Sequence, residues 1–163
     1  MNATVIKVGM ADFKIATTLN TIRTSGLGSC VGIVIYDDRK LIAGMAHIML
    51  PTSGLNKQEK INVAKYADTA IPALIQRLLQ NGASRFTLKA KIAGGAQMFS
   101  FSTGNDLMRI GPRNVDAVKE KLEEMRIPLV AEDVGGKSGR TIEFDPNSQL
   151  LQIRTVNKGT IHI

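Results

Sequence analysis

The sequence predicts an α+β fold of layered, mostly antiparallel sheets covered by two main helices. Three observations predict it. About nine short segments alternate apolar and polar residues or are dense in β-branched residues, which are the patterns of strands. Most of these follow one another through turns too short for a parallel crossover. Only two stretches carry apolar residues at helical spacing. The 163 residues fit a single domain, residues 1–163, with a core large enough to do without covalent staples.

Val5 to Gly9 and Phe13 to Thr17 alternate and read as strands, with a further short one at Ile22 to Thr24. Val31 to Tyr36 is nearly continuous in β-branched residues, the mark of a strand buried on both faces. Asp37 to Lys40 reads as a hairpin turn, and Leu41 to Leu50 as the antiparallel partner strand, stopped by Pro51. Pro51 to Lys60 reads as a loop. Ala64, Ala67, Ile71, Leu74, Ile75 and Leu78 form a helical stripe that Asn81-Gly82 terminates. Pro72 falls inside it, so the helix either kinks there or starts close before it. Arg85 to Ile92 reads as a strand with Phe86, Leu88, Ala90 and Ile92 on one face. Gly94-Gly95-Ala96 is a turn, followed by Met98-Phe99-Ser100-Phe101. Gly111 to Asn114 opens the second helix with Pro112 at its first position. Val115, Val118, Leu122 and Met125 form its stripe, and Lys119 faces Glu123 as an ion pair. Leu129 to Ala131 is a short strand before the Gly135-Gly136 turn. Arg140 to Phe144 and Leu150 to Val156 flank a hairpin, and Thr160 to Ile163 adds an edge strand.

The net charge of +7 favours an acidic partner. The basic residues are scattered, with no polybasic run and no aromatic-interleaved strip, so nucleic acid is not expected as a partner. The only cysteine excludes an internal disulfide and suits a reducing compartment, so the expected location is cytoplasmic. No apolar run approaches the ~20 residues of a membrane span, and the first thirteen residues do not read as a signal peptide.

The chemistry concentrates at Gly26-Leu27-Gly28-Ser29-Cys30. A dinucleotide loop needs a third glycine where Val31 stands and a helix after it; a P-loop needs Gly-Lys-Ser/Thr. Both patterns fail. As a nucleophile turn the stretch fits better. Its glycines allow a tight bend that presents Cys30, and the backbone N–H groups of Gly28, Ser29 and Cys30 can converge on an oxyanion. The thiol needs a base, and His47 supplies one. In a hairpin centred between Asp38 and Arg39, Cys30 and His47 stand directly opposite each other. Thr24 is a candidate to orient the imidazole, with Ser25 and Ser29 as rivals. The plainer readings remain open: a cysteine and a histidine packed in an apolar core, and an ordinary strand threonine. One cysteine with His47 and His162 makes no recognisable metal set, so no metal and no cofactor is expected, and His162 reads as an exposed tail residue.

Taken together, Thr24-x-x-x-Gly28-Ser29-Cys30-Val31, Ala46-His47-x-x-Leu50-Pro51, Lys65-Tyr66-Ala67-Asp68, Lys91-Ile92-x-Gly94-Gly95-Ala96-x-Met98-Phe99, Ile110-Gly111-x-Arg113-Asn114 and Asp133-x-Gly135-Gly136 resemble the CheD family of chemoreceptor glutamine deamidases. The resemblance implies a layered α/β/β sandwich, a triad of Cys30, His47 and Thr24, and glutamine side chains of methyl-accepting chemotaxis receptors as substrate. It also implies binding to the phosphatase CheC, without insertion into the membrane. The alternative function is a non-catalytic regulatory module that binds CheC and receptors. Gly94, Gly95, Phe99 and Phe101 are candidates to line a substrate or partner groove; tight turns required by the fold, and core packing, are the competing readings. Gly135-Gly136 has the same pair of readings.

Overall fold

The computed structural model describes residues 4–54, 61–97 and 109–163. They form three layers. The outer sheet has the order β1 (Thr4–Lys7), β3 (Asn20–Leu27), β8 (Arg140–Asp145), β9 (Leu150–Thr155) and β10 (Gly159–His162). The middle sheet has the order β2 (Asp12–Ala16), β5 (Ile42–Ile48), β4 (Val31–Asp37), β6 (Leu88–Gly94) and β7 (Leu129–Val134). Helices α1 (Ala67–Gln80) and α2 (Ile110–Glu124) cover the far face of the middle sheet. This is the expected α/β/β sandwich. Its pairings are antiparallel except β1 with β3 and β6 with β7.

Strand β4 shows why the layers stack. All seven of its residues are buried. Val31, Ile33 and Ile35 face the helices, packing with Ile71, Leu74, Val118 and Leu122. Val34 and Tyr36 face the outer sheet, packing with Ile142, Phe144 and Ile153. Tyr36 and Phe144 bring their rings to 5.0 Å between centroids across that interlayer. A strand sandwiched on both faces needs a continuous apolar run, and that is what the sequence supplies.

Several details differ from the expectations. The described residues hold ten strands, one for each segment read as a strand, against the rough total of nine. Residues 85–87 form a 3-10 turn before β6, so Phe86 leaves the predicted face and is 97% exposed. Pro72 lies inside α1, beyond its first turn, where its missing N–H removes one bond of the ladder. Pro112 is the third residue of α2 rather than the first. Lys119 pairs with Glu132 of β7 at 2.9 Å instead of Glu123, because the neighbouring strand lies within reach of the helix surface. The β4–β5 hairpin is closed at Asp37 and Ile42, with Leu41 in a left-handed conformation at φ 55°. The buried Asp37 carboxylate stabilises this turn by accepting from the Arg39, Lys40 and Ser84 N–H groups. Phe99 and Phe101, and residues 55–60 of the expected loop, lie outside the described residues.

Candidate functional site

The hairpin loop spans residues 38–41, one residue later than expected, and this moves the register. His47 stands opposite Gly32 rather than Cys30, so the predicted direct pairing is corrected by two positions. A shift of two keeps the face, because side chains alternate with period two. Cys30 and His47 therefore still address the same side of the middle sheet. That side is the interlayer: a Cβ on Gly32 would meet Ile142 Cδ1 of the outer sheet at 2.5 Å. Cys30 sits just before β4, 9% exposed, against the cluster that includes Leu27, Val34 and Ala93.

Thr24 comes from the other sheet. The pairing of β3 with β8 changes register between Thr24 and Leu27, where Gly26 takes φ 72°. Three residues apart, Thr24 and Leu27 would face opposite ways on a regular strand. The extra residue of this bulge turns both inward. Leu27 enters the interlayer core. Thr24 Oγ1 reaches His47 Nδ1 at 2.7 Å across the gap between the sheets.

The same hydroxyl donates to the Val8 carbonyl oxygen at 2.8 Å. A hydroxyl has one proton. With that proton on Val8, Thr24 Oγ1 acts as acceptor, and the imidazole proton must sit on Nδ1. Nε2 is then left as an unprotonated base. It is buried and makes no hydrogen bond among the described residues, so no thiol–imidazole bond is formed in this state. Burial holds the His47 pKa below its ordinary value, and burial also raises that of Cys30, against a smaller lowering by the Cys30 backbone N–H. The pair at rest is a neutral thiol and a neutral imidazole.

The Gly28 N–H, expected to help hold an oxyanion, donates to Gly26 O at 3.1 Å. The turn is gripped from behind through its carbonyls. Ala96 N donates to Gly28 O and Gly95 N to Cys30 O, both at 2.8 Å. Gly94 and Gly95 thus lie directly against the Cys30 backbone. At Gly94, φ 112° and a Cβ clash with Cys30 O both demand glycine. Arg140 braces this turn, bonding Gly94 O, Gly135 O and the Asp133 carboxylate.

Sequence reasoning assigned no role to Asn114, which is fully buried on α2. Its Nδ2 donates to Ser29 O at 2.9 Å and to Met49 O at 3.0 Å. The available signal was its spacing: Asn114, Val118 and Leu122 recur every four residues, which places a polar residue in the apolar stripe. His162 is exposed on the edge strand, as expected. Among the described residues no three potential ligands gather to hold a metal ion.

The candidate site thus has a thiol, an imidazole and a threonine hydroxyl in the interlayer of an α/β/β sandwich, the last two joined by a hydrogen bond. Residues 49–155 match the family model "CheD chemotactic sensory transduction". The chain is 63% identical over 155 residues to the chemoreceptor glutamine deamidase CheD of Halalkalibacterium halodurans, covering 95% of this chain and 96% of that one. It is 59% identical over 157 residues to the protein of the same name from Bacillus subtilis, covering 96% and 95%. The Bacillus licheniformis protein of that name is 58% identical over 159 residues, covering 98% and 95%. These relatives span the whole site, whereas the family match begins just after His47. The chain belongs to the CheD family.

Proposed function

We propose that this protein is a chemoreceptor glutamine deamidase. Residues 1–163 act as one domain, with Cys30 as nucleophile, His47 as general base and acid, and Thr24 as the residue that orients the imidazole. The observation that carries the reading is the Thr24–His47 bond, since it fixes the tautomer whose free nitrogen is Nε2. The near-full-length likeness to proteins of that name supports the substrate.

Substrate binding completes the pair. His47 Nε2 takes the Cys30 proton as Sγ forms a bond to the glutamine carboxamide carbon. The negative oxygen of the tetrahedral adduct is held by backbone N–H groups of the turn. The imidazolium gives its proton to the carboxamide nitrogen, the C–N bond breaks, and ammonia leaves a thioester. Water, deprotonated by His47, then attacks the thioester. Cys30 leaves, recovers its proton, and the product is glutamate. The same steps act on methyl glutamate with methanol as leaving group.

The reading puts the protein in the cytoplasm, where the receptors' signalling helices lie, and no described helix is long and apolar enough to cross a membrane. It also includes binding to CheC, to be checked by co-elution of the two purified proteins. Incubation of a receptor cytoplasmic fragment with wild type and with Cys30→Ala, followed by mass-spectrometric mapping, tests the catalytic core. Wild type converts glutamine to glutamate at discrete sites and the variant does not. Equal conversion by both, or by neither, overturns it and leaves the non-catalytic binding module.

A further inference from the structure

We propose that Asn114 is a positioning residue for this reaction: by holding the Ser29 carbonyl it sets the plane of the Ser29–Cys30 peptide and aims the Cys30 N–H at the oxyanion. The inference rests on the reading of Cys30 as the nucleophile.

Three consecutive carbonyls of the turn are pinned from behind. Gly28 O is held by Ala96 N, Ser29 O by Asn114 Nδ2 and Cys30 O by Gly95 N. In a trans peptide the C=O and the following N–H point in opposite directions, and no described bond is cis. Pinning a carbonyl therefore turns the next N–H toward the opposite side. Ser29 O is the one whose grip comes from a side chain. The peptide it controls carries the N–H of Cys30. The Cys30 backbone N–H also lowers the thiol pKa, against the larger rise from burial.

The chemistry of Asn114 fits the role. Both of its neighbours are carbonyl oxygens, so the amide must present its nitrogen, and one proton serves each. Its second bond, to Met49 O, anchors the chain two residues beyond His47. One side chain thus ties the nucleophile turn to the strand that carries the base. Asn114 Oδ1 is buried with no partner among the described residues, a penalty that an apolar residue of the same shape would avoid. Packing alone does not ask for an asparagine here.

Asn114→Leu keeps the branched shape and removes both donors; Asn114→Ala serves as the second variant. In folded enzyme, kcat for receptor deamidation falls on the order of 100-fold with KM little changed, as for loss of an oxyanion donor. The pH inflection of Cys30 alkylation by iodoacetamide moves upward, because the N–H no longer supports the thiolate. A merely structural asparagine lowers the melting temperature but leaves kcat and the inflection of the folded enzyme in place, and that result overturns the inference. If neither variant folds, the wild type decides. Both Asn114 side-chain amide protons are slow to exchange in 15N–1H spectra; rapid exchange overturns the proposal. If Cys30→Ala still deamidates, the underlying reading fails. If Cys30→Ala is inactive and Asn114→Leu fully active, only the positioning role fails.

Discussion

The Thr24 hydroxyl serves two partners, and its removal is felt twice. Thr24→Val keeps the shape but leaves both His47 Nδ1 and Val8 O unpaired in a buried setting. The variant is expected to lose ~1–3 kcal/mol of stability for each orphaned group, read by denaturant melts. Its kcat is expected to fall on the order of 100-fold, since the imidazole is no longer held in the tautomer that works. Proton occupancy at the site has its own signature. His47 is buried and its folded pKa is depressed below the ordinary 6.5. Between those two values the unfolded chain binds a proton that the native protein excludes. Stability therefore falls as pH drops below 6.5 through that window. The difference in melting temperature between wild type and His47→Gln should shrink over that range. Cys30 behaves oppositely: its thiol is raised above 9.0, so alkylation of substrate-free enzyme should rise through an inflection above pH 9.0. An inflection well below that value would mean a preformed thiolate. At this scale the sequence was informative, since Cys30, His47 and Thr24 were singled out by type, glycine context and family likeness. Asn114 is not legible in the same way, because the two carbonyls it holds, on Ser29 and Met49, are brought near it by no local pattern.

The elements that matter most are two turns lying back to back. Gly94→Ala is expected to abolish deamidation and to destabilise the fold by ~1–3 kcal/mol, the range for a strained backbone conformation. The new Cβ has no room against Cys30 O, so the nucleophile turn must shift. Activity measured on the folded fraction separates misplacement from unfolding. Strands and helices were legible where one physical pattern dominated, as in the unbroken β-branched run of β4 or the stripe of α1. They were misread where local backbone choices intervened. Asp37 extends β4 and Leu41 takes a left-handed conformation in the turn, so the four-residue loop falls one residue later and the register moves with it. Ser84 is tied to the Asp37 carboxylate, an acceptor far away in sequence, and the chain curls into a 3-10 turn that throws Phe86 outward.

Across the whole molecule, the spacing between the two sheets is the controlling dimension. Gly32 lies opposite His47 and leaves no room between Ile142 and Leu27 for a side chain. Gly32→Ala is expected to push the sheets apart, destabilising by ~1–3 kcal/mol and lengthening the Thr24–His47 contact. Its measure is a loss of kcat larger than the loss of folded protein. The order of strands in each sheet could not be read locally, since β3 pairs with β8 across more than a hundred residues.

That stacking gives the enzyme a timer. Thr24 and His47 belong to different sheets, so neither sheet alone can form their bond. A refolding chain that has recovered its strands and helices still has a histidine that tumbles between tautomers. The sheltered Nδ1 proton appears only when the layers dock. Followed by proton NMR during refolding, that single resonance would mark the moment of docking, and enzyme activity should emerge in step with it rather than with the earlier return of secondary structure.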